Sequence, residues 1–188
     1  MTVRDADATR RRLIEAARAE FAEYGIAGAR VDRIAANAGA NKAQIYHYYG
    51  SKDALFDAVW ESIVTQIVEE APIDVEDLSG YAARLASGYA EHPFIARLVT
   101  WQRLERSDDA PHAFAVASTQ RKADLIAEAQ ANGRLTMRFD APVLLALILQ
   151  IAALWCMTSP DVLAVIEVPD AERRVAIVKD AVARLLAP

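Results

Sequence analysis

The stretch VDRIAANAGANKAQIYHYYGSK, residues 31–52, constrains the fold of this chain more than any other. Ala35 has no bulk to obstruct the close crossing of a second helix, and Gly39 can take the left-handed conformation that ends a first helix. Ile45 falls where it can pack back between the two helices. The spacing of these three residues predicts a helix-turn-helix. An ordinary helical hairpin is the alternative.

The second helix of this pair has a surface suited to nucleic acid. Asn41 stands at its N-cap, and Ser51 caps the helix that follows. Because Ile45 and Tyr49 share one face at i and i+4, the rest of the helix is left to other groups. The remaining side chains of the helix carry hydrogen-bond donors and aromatic rings, which favour contact with DNA. These side chains are Lys42, Gln44, Tyr46, His47 and Tyr48.

Charge is distributed unevenly along the chain. The 188 residues carry a formal net charge of -5. Residues 1–52, however, hold nine Lys/Arg and six Asp/Glu, a net charge of +3, and the other residues hold twelve against twenty, a net charge of -8. The positive segment contains the helix-turn-helix, as contact with phosphates requires. A solvated basic face on an acidic protein is the alternative explanation.

Helical periodicity runs through nearly the whole chain, and strand alternation is scarce, which predicts an all-α protein of about nine helices. The first helix is expected from about Ala8 to Tyr24, ended by Gly25, and a long fourth helix from Ser51 to Pro72. At 54% hydrophobic residues, the chain can bury a substantial core. We predict two domains, a three-helix domain with the helix-turn-helix over residues 1–52 and a larger helical domain over residues 53–188.

The chain has the features of a cytoplasmic protein. Cys156 is its only cysteine, so there is no disulfide framework and no cysteine-based zinc site. The segment MTVRDADATRRR has no apolar stretch after its charges, unlike a secretory signal. The longest apolar run, Val143 to Met157, is shorter than the roughly twenty residues of a membrane span. We therefore expect no membrane segment.

The last two predicted helices suit pairing with a second subunit. The segment Asp140 to Met157 is apolar all round and must be covered on every side. In Asp170 to Leu186, apolar residues repeat at alternating steps of four and three, as in a seam between helices. Two such helices from each of two chains would form a four-helix bundle, whereas in a monomer they would pack on their own chain. The predicted dimerisation residues are Leu149, Ala153, Val175, Val178, Val182 and Leu185.

Between Arg11 and Leu55 the chain resembles the tetracycline-repressor (TetR) family of one-component bacterial regulators. That family has a Phe near the end of its first helix and a Gly after it, as Phe21 and Gly25 are here. Beyond Leu55 the resemblance rests on helix order and length. The other matching positions are Ile34-Ala35, Ala38-Gly39, Ile45-Tyr46, Tyr49 and Ser51-Lys52-Asp53-Ala54-Leu55.

The resemblance implies a repressor that binds operator DNA as a homodimer and is released by a small-molecule effector. Two recognition helices read consecutive major grooves when they lie about 34–36 Å apart, so a near-palindromic operator is expected. In the family, a small molecule bound among the middle helices swings the fourth helix and spoils that spacing. Here the fourth helix begins directly after the motif.

Three positions depart from the family pattern. Arg30 stands where the family commonly has a Thr that caps the second helix, and Asn41 and Ala43 stand where it has Ser and Gly. Asn41 can cap as well as Ser, and Ala43 strengthens the helix. Arg30 gives up a side-chain cap and could instead reach a phosphate. A solvated arginine on a loop is the alternative.

The predicted DNA contacts divide into positioning and reading. Lys42 and Lys52 are expected to bind phosphates at the two ends of the recognition helix. Gln44 can contact adenine bidentately, and Tyr46 or Tyr48 can reach a phosphate or a thymine methyl, unless these rings are half buried instead. The predicted DNA-binding residues are Arg30, Arg33, Lys42, Ala43, Gln44, Tyr46, His47, Tyr48 and Lys52.

An effector pocket is expected from rings and polar tips in the middle of the chain. Aromatic walls with a few polar groups suit a small, largely apolar ligand. Plain core packing is the alternative for each of these residues. The predicted pocket residues are Trp101, Gln102, Glu105, His112, Phe114 and Trp155.

No enzymatic site is recognisable in the sequence. His47, His92 and His112 have no metal-ligand spacing, no Gly-rich phosphate loop occurs, and Cys156 has no adjacent His. We therefore predict no catalysis, no metal and no cofactor. A helical adaptor that uses the aromatic surface around Tyr46 to Tyr49 is the remaining alternative class.

Overall fold

The computed structural model describes residues 3–187, so the outermost residues of the two predicted domains lie outside it. Eleven helices and no strand occur in the described residues, as an all-α chain predicts. Two of the helices, α9 and α10, have only four residues and explain the excess over the expected number. No helix in this range combines the length and apolar character needed to cross a membrane. The helices are α1 Val3–Gly28, α2 Val31–Asn37, α3 Lys42–Tyr49, α4 Lys52–Glu70, α5 Leu78–Glu91, α6 Phe94–Glu105, α7 Ala113–Ala131, α8 Ala141–Ala152, α9 Leu154–Met157, α10 Pro160–Leu163 and α11 Ala171–Leu186.

The helices form two compact units. The first comprises the chain up to Val64 together with Phe94–His112, and the second comprises Thr65–Pro93 and the chain from Ala113 onward. The boundary predicted at residue 52 follows the sequence motif, whereas the packing adds the first part of α4 and all of α6 to the first unit. The reason is that the core of the helix-turn-helix helices is completed by side chains of α4.

The core of the first unit is built on the apolar face of α1. Leu13, Ala17 and Phe21 are all fully buried, as their helical spacing predicts. Phe21 meets Phe56 of α4 edge-on, with 5.2 Å between the ring centroids. Tyr24, expected on the same stripe, is instead half exposed, and its ring lies under the guanidinium of Arg33. The stripe therefore ends one turn earlier than its periodicity suggests.

The second unit has its core between α5, α7, α8 and α11. The apolar segment predicted as a single helix from Asp140 to Met157 is divided at Ala153, where α8 ends and α9 begins. Its outer face is not covered by the chain itself, since Val143, Leu154 and Met157 remain exposed. The expectation of cover on every side is therefore not met within one subunit.

The apolar seam of α11 packs on its own chain. Val178 and Val182 are completely buried in the core of the second unit, where α11 contacts α5 and α8. This corrects their assignment to the dimer contact, because a side chain without exposed surface has none to offer to a partner. Val175 and Leu185 are partly buried against the same core. Heptad-like spacing indicates that a helix has a partner, and here the partner is α5.

Tyr81, on α5, offers a test of this core. Its side chain is fully buried, and its hydroxyl has no hydrogen-bond partner among the described residues. We therefore expect Tyr81→Phe to raise the free energy of unfolding by about 1 kcal/mol. Burial also raises the pKa of Tyr81 to about 12.

The raised pKa gives this prediction a pH signature. The folded state holds the phenol proton more tightly than the unfolded chain does, so the associated stability is intact below the unfolded pKa, about 10. It is lost as the pH rises from there through about 12. Urea unfolding at several alkaline pH values should show a smaller loss for Tyr81→Phe than for the unsubstituted protein. Equal losses would contradict the prediction.

Candidate nucleic-acid interface

The turn between α2 and α3 is closed by backbone hydrogen bonds around Gly39. The N–H of Ala40 donates to the carbonyl of Ala35 over 2.9 Å, and the N–H of Gly39 donates to Ala36 over 3.2 Å. Gly39 has a φ of 60°, in the left-handed region. This is a Schellman motif, which ends α2 sharply. It confirms the role predicted for Gly39.

The start of α3 is fixed by a complete capping box. The side chain of Asn41 accepts a hydrogen bond from the backbone N–H of Gln44 at 2.9 Å, and the side-chain oxygen of Gln44 accepts one from the N–H of Asn41 at 3.0 Å. The predicted cap at Asn41 is confirmed. The capping bond uses one of the two lone pairs of the Gln44 oxygen, so a bidentate contact with adenine would need the second lone pair together with the amide N–H.

The inner face of α3 holds the helix against the rest of the unit. Ile45 is fully buried, and Ala35 of α2 is 5% exposed, so the predicted close crossing is present. Tyr49 is partly buried, and its hydroxyl donates to the carbonyl of Arg10 at 3.4 Å. Burial raises the pKa of Tyr49. These contacts leave α3 little freedom to rotate about its axis.

The outer face of α3 presents Lys42, Ala43, Tyr46 and His47, all of which are exposed. Tyr46 has 45% of its surface exposed. Tyr48 is different, because its ring is partly buried beneath the guanidinium of Arg10, which lies 5.0 Å from the ring centroid. The face that α3 offers to a partner is thus narrower than its sequence suggests.

The predicted phosphate contacts differ in how free their side chains are. Lys42 forms an exposed ion pair with Asp32 at 3.1 Å. Lys52 donates from Nζ to the carbonyls of Ala27 and Ala29, at 3.1 and 3.3 Å. The side chain of Arg30 is exposed and forms no hydrogen bond or ion pair within residues 3–187. Lys52 therefore satisfies one carbonyl in the last turn of α1 and one just after it, whereas the side chain of Arg30 is available for a phosphate.

Sequence reasoning missed the buried carboxylate of Glu20, which holds the start of α2. Oε1 of Glu20 accepts hydrogen bonds from the backbone N–H of Arg30 at 2.8 Å and from Nε of Arg33 at 2.7 Å. This explains how α2 begins without a side-chain cap from Arg30 itself. The hydrogen bond to Glu20 raises the pKa of Arg33. The available signal was a charged residue on the apolar stripe of α1, three positions after Ala17.

We expect Glu20→Ala to lower the free energy of unfolding by about 2 kcal/mol, because it leaves the N–H of Arg30 and the guanidinium of Arg33 without their acceptor. Urea unfolding measures the change. Glu15→Ala is the matched control, since Glu15 is an exposed glutamate on the same helix. Equal effects of the two substitutions would show that the Glu20 carboxylate does not hold α2.

Three side chains of α6 form hydrogen bonds with backbone groups near the end of α1. Nε of Arg97 and Nε1 of Trp101 both donate to the carbonyl of Ala22, at 2.7 and 3.3 Å. The carboxylate of Glu105 accepts a hydrogen bond from the N–H of Ala27 at 2.7 Å. Trp101 and Glu105, predicted to line an effector pocket, thus have a structural role at α1.

The other predicted effector residues do not converge on one cavity within either unit. Gln102 and His112 line a cavity of about 360 Å³ in the first unit, together with Trp60. Trp155 lines a cavity of about 270 Å³ in the second unit. Phe114 is exposed at the start of α7. The prediction mixed residues of two separate cavities because helical spacing does not report which rings share a space.

Two family profiles match the chain. The profile described as "Bacterial regulatory proteins, tetR family" matches residues 13–59. The profile described as "Tetracyclin repressor-like, C-terminal domain" matches residues 77–184. Between them they cover the helix-turn-helix and most of the second unit.

Similar proteins support the same grouping. The HTH-type transcriptional repressor SCO4008 of Streptomyces coelicolor is 41% identical over 163 residues, which span 86% of this chain and 84% of that protein. The crystal structure of SCO4942, also from Streptomyces coelicolor, has a TM-score of 0.83 and 40% identity and covers 95% of this chain and 98% of its own. AibR, crystallised with isovaleryl coenzyme A and operator DNA, has a TM-score of 0.68 at 19% identity, with 92% of this chain and 97% of AibR covered. That last likeness concerns the fold alone.

The profiles and the repressor relative agree with the geometry of α2 and α3. The residues 13–59 that match the N-terminal profile include α3, which is capped at its start, anchored by Ile45 and exposed on its outer face. The chain therefore belongs to the TetR family and is a DNA-binding transcriptional regulator, not an enzyme, as its helix-turn-helix predicts.

Proposed function

We propose that the protein is a cytoplasmic repressor that binds a near-palindromic operator as a homodimer and is released by a small-molecule effector. The observation that carries the DNA part is the rigid mounting of α3, whose outer face stays exposed. AibR supports the combination of functions, since its fold accommodates both operator DNA and an acyl coenzyme A.

The predicted DNA-binding residues take different parts in this proposal. Tyr46 and His47 read base edges from the exposed face of α3, and Lys42 and Arg30 bind phosphates on either side. Gln44 reads through its amide N–H groups, which the capping box leaves free. The remaining residues act by close approach or by holding the backbone in place. They are Arg33, Ala43, Tyr48 and Lys52.

DNA binding is tested by fluorescence anisotropy with the DNA upstream of the protein's own gene, titrated at several salt concentrations. The expected result is a sequence-dependent affinity that falls with salt. Lys42→Ala should weaken binding to all sequences and reduce the salt slope by about one, whereas Gln44→Ala should relax preference at one base pair. Affinity that is independent of both salt and sequence would overturn the proposal and favour an adaptor.

Lys52→Ala requires a second measurement. Because Lys52 bonds the carbonyls of Ala27 and Ala29, its loss should weaken DNA binding partly by loosening the junction of α1 and α2. Thermal unfolding of the same variant separates this cause from a lost phosphate contact. A lower affinity with unchanged stability would indicate direct contact with DNA.

The homodimer is proposed from apolar surface that one chain leaves exposed. Val143, Leu154 and Met157 lie on the outer side of α8 and α9 and expose 49%, 41% and 37% of their surfaces. Leu149 and Ala153 lie in the same two-helix segment and are partly buried. Sedimentation equilibrium should give twice the chain mass of 20.6 kDa. Val143→Glu should reduce the mass to that of one chain, and a monomeric unsubstituted protein would overturn the dimer.

A further inference from the structure

The second unit contains a cavity of about 270 Å³ that the assigned function does not account for. It lies between the end of α5, the α8 to α9 junction and the first turn of α11. The cavity is open because four of its lining residues have small side chains, namely Ala86, Ala90, Ala152 and Ala171. Its apolar walls are formed by Tyr89, Trp155 and Val175. Nε1 of Trp155 donates to the carbonyl of Arg174 at 3.2 Å and so ties α9 to α11 across the cavity wall.

Arg174 is the one charged residue among those that line this cavity. Its Nε is buried and has no hydrogen-bond partner among the described residues. No aspartate or glutamate lines the cavity, and no ion pair among the described residues includes Arg174. Asp170 accepts a hydrogen bond from the backbone N–H of Arg173.

The remaining polar groups in the cavity wall are neutral. Burial raises the pKa of the Cys156 thiol and of the Tyr89 phenol, so neither carries a negative charge at neutral pH. The cavity therefore combines apolar walls with one unpaired guanidinium. Since an arginine binds a carboxylate through two parallel hydrogen bonds, this combination favours an acid with an apolar body.

We propose that this cavity binds a small apolar monocarboxylate, with its carboxylate on Arg174 and its hydrocarbon part against Trp155 and Val175. The cavity volume suits a ligand of about the size of a medium-chain acid. The claim that this cavity is the effector site of the repressor rests on the function proposed above. The claim that the cavity binds a carboxylate does not, and that binding is measured without DNA.

The experiment uses octanoate as the probe and octan-1-ol as the neutral molecule of the same length. Isothermal titration calorimetry on the full chain should show octanoate bound at least about tenfold more tightly than octan-1-ol. Arg174→Gln should weaken octanoate binding at least about tenfold and change octan-1-ol binding less than about twofold. Arg173→Gln is the matched control, because it removes the same charge from the adjacent, exposed position and should leave both affinities unchanged.

Two further variants locate the site. Octanoate bound beside Trp155 should change the tryptophan fluorescence of the unsubstituted protein. Trp155→Phe should still bind octanoate by calorimetry but show little of this fluorescence change. Ala90→Trp fills the cavity from an exposed position at the end of α5 and should abolish binding of both probes with an unchanged circular dichroism spectrum. Absence of octanoate binding, equal affinity for octan-1-ol, or equal loss in Arg173→Gln and Arg174→Gln would overturn the proposal. Operator binding measured without octanoate does not depend on any of these outcomes. The carboxylate site and the repressor function can therefore be overturned independently.

Discussion

Gly25→Ala should destabilise the protein by about 3 kcal/mol or more. Gly25 interrupts α1 with φ 74° and ψ 179°, a conformation that is essentially restricted to glycine. An added Cβ would also lie 2.6 Å from Oε1 of Glu105 and 2.9 Å from the ring of Trp101. Backbone strain and steric overlap therefore add, and the overlap falls on two residues that hold α1 to α6.

Urea unfolding measures this effect, and Gly28→Ala is the matched control. Gly28 lies three residues further along the same helix, and a Cβ there would make only an ordinary 3.5 Å contact with Tyr24. The control should be neutral or slightly stabilising. Glu105→Ala should cost less stability in the Gly25→Ala background than in the unsubstituted protein, because there it also removes one overlap. A Gly25→Ala protein as stable as Gly28→Ala would contradict the account of this kink.

Ala43→Asp should reduce operator affinity about a hundredfold, which corresponds to about 2.7 kcal/mol. Ala43 is exposed in the first turn of α3, on the surface proposed to meet DNA. A carboxylate there would face phosphates, and like charges held together cost several kcal/mol. The same carboxylate interacts favourably with the helix N-terminus, so the fold should not be weakened.

The substitution therefore separates binding from stability. Thermal unfolding of Ala43→Asp should give a Tm equal to or above that of the unsubstituted protein, while anisotropy shows the loss of affinity. Ala127→Asp changes the net charge by the same amount at an exposed position of α7 and should leave operator affinity nearly unchanged. A similar loss in both variants would mean that net charge, and not the face of α3, governs binding.

The sequence predicts the helix-turn-helix well because its signals are local. The Gly39 turn, the Asn41 cap and the burial of Ile45 each depend on residues a few positions apart. The long fourth helix also occurs as predicted, within two residues of Pro72. Such features follow from backbone geometry and capping, which a single segment contains in full.

The partners of charged side chains could not be predicted in this way. Glu20, Arg33 and Lys52 bond groups that are 10 to 25 positions away in the chain. Periodicity shows which face of a helix is apolar, but it does not show which backbone groups remain to be satisfied where α1 ends. The seam of α11 illustrates the same limit, since its spacing fits a partner helix from either the same chain or another.

The placement of Phe56 has a consequence for chimeric regulators that join the DNA-binding domain of one protein to the effector-binding domain of another. A junction at residue 52 would discard Phe56, which is 1% exposed and touches Phe21, and would discard the grip of α6 on Ala22. The transplanted DNA-binding domain would then expose part of its own core. A transferable DNA-binding domain should keep residues 53–64 and 94–112 along with α1, α2 and α3.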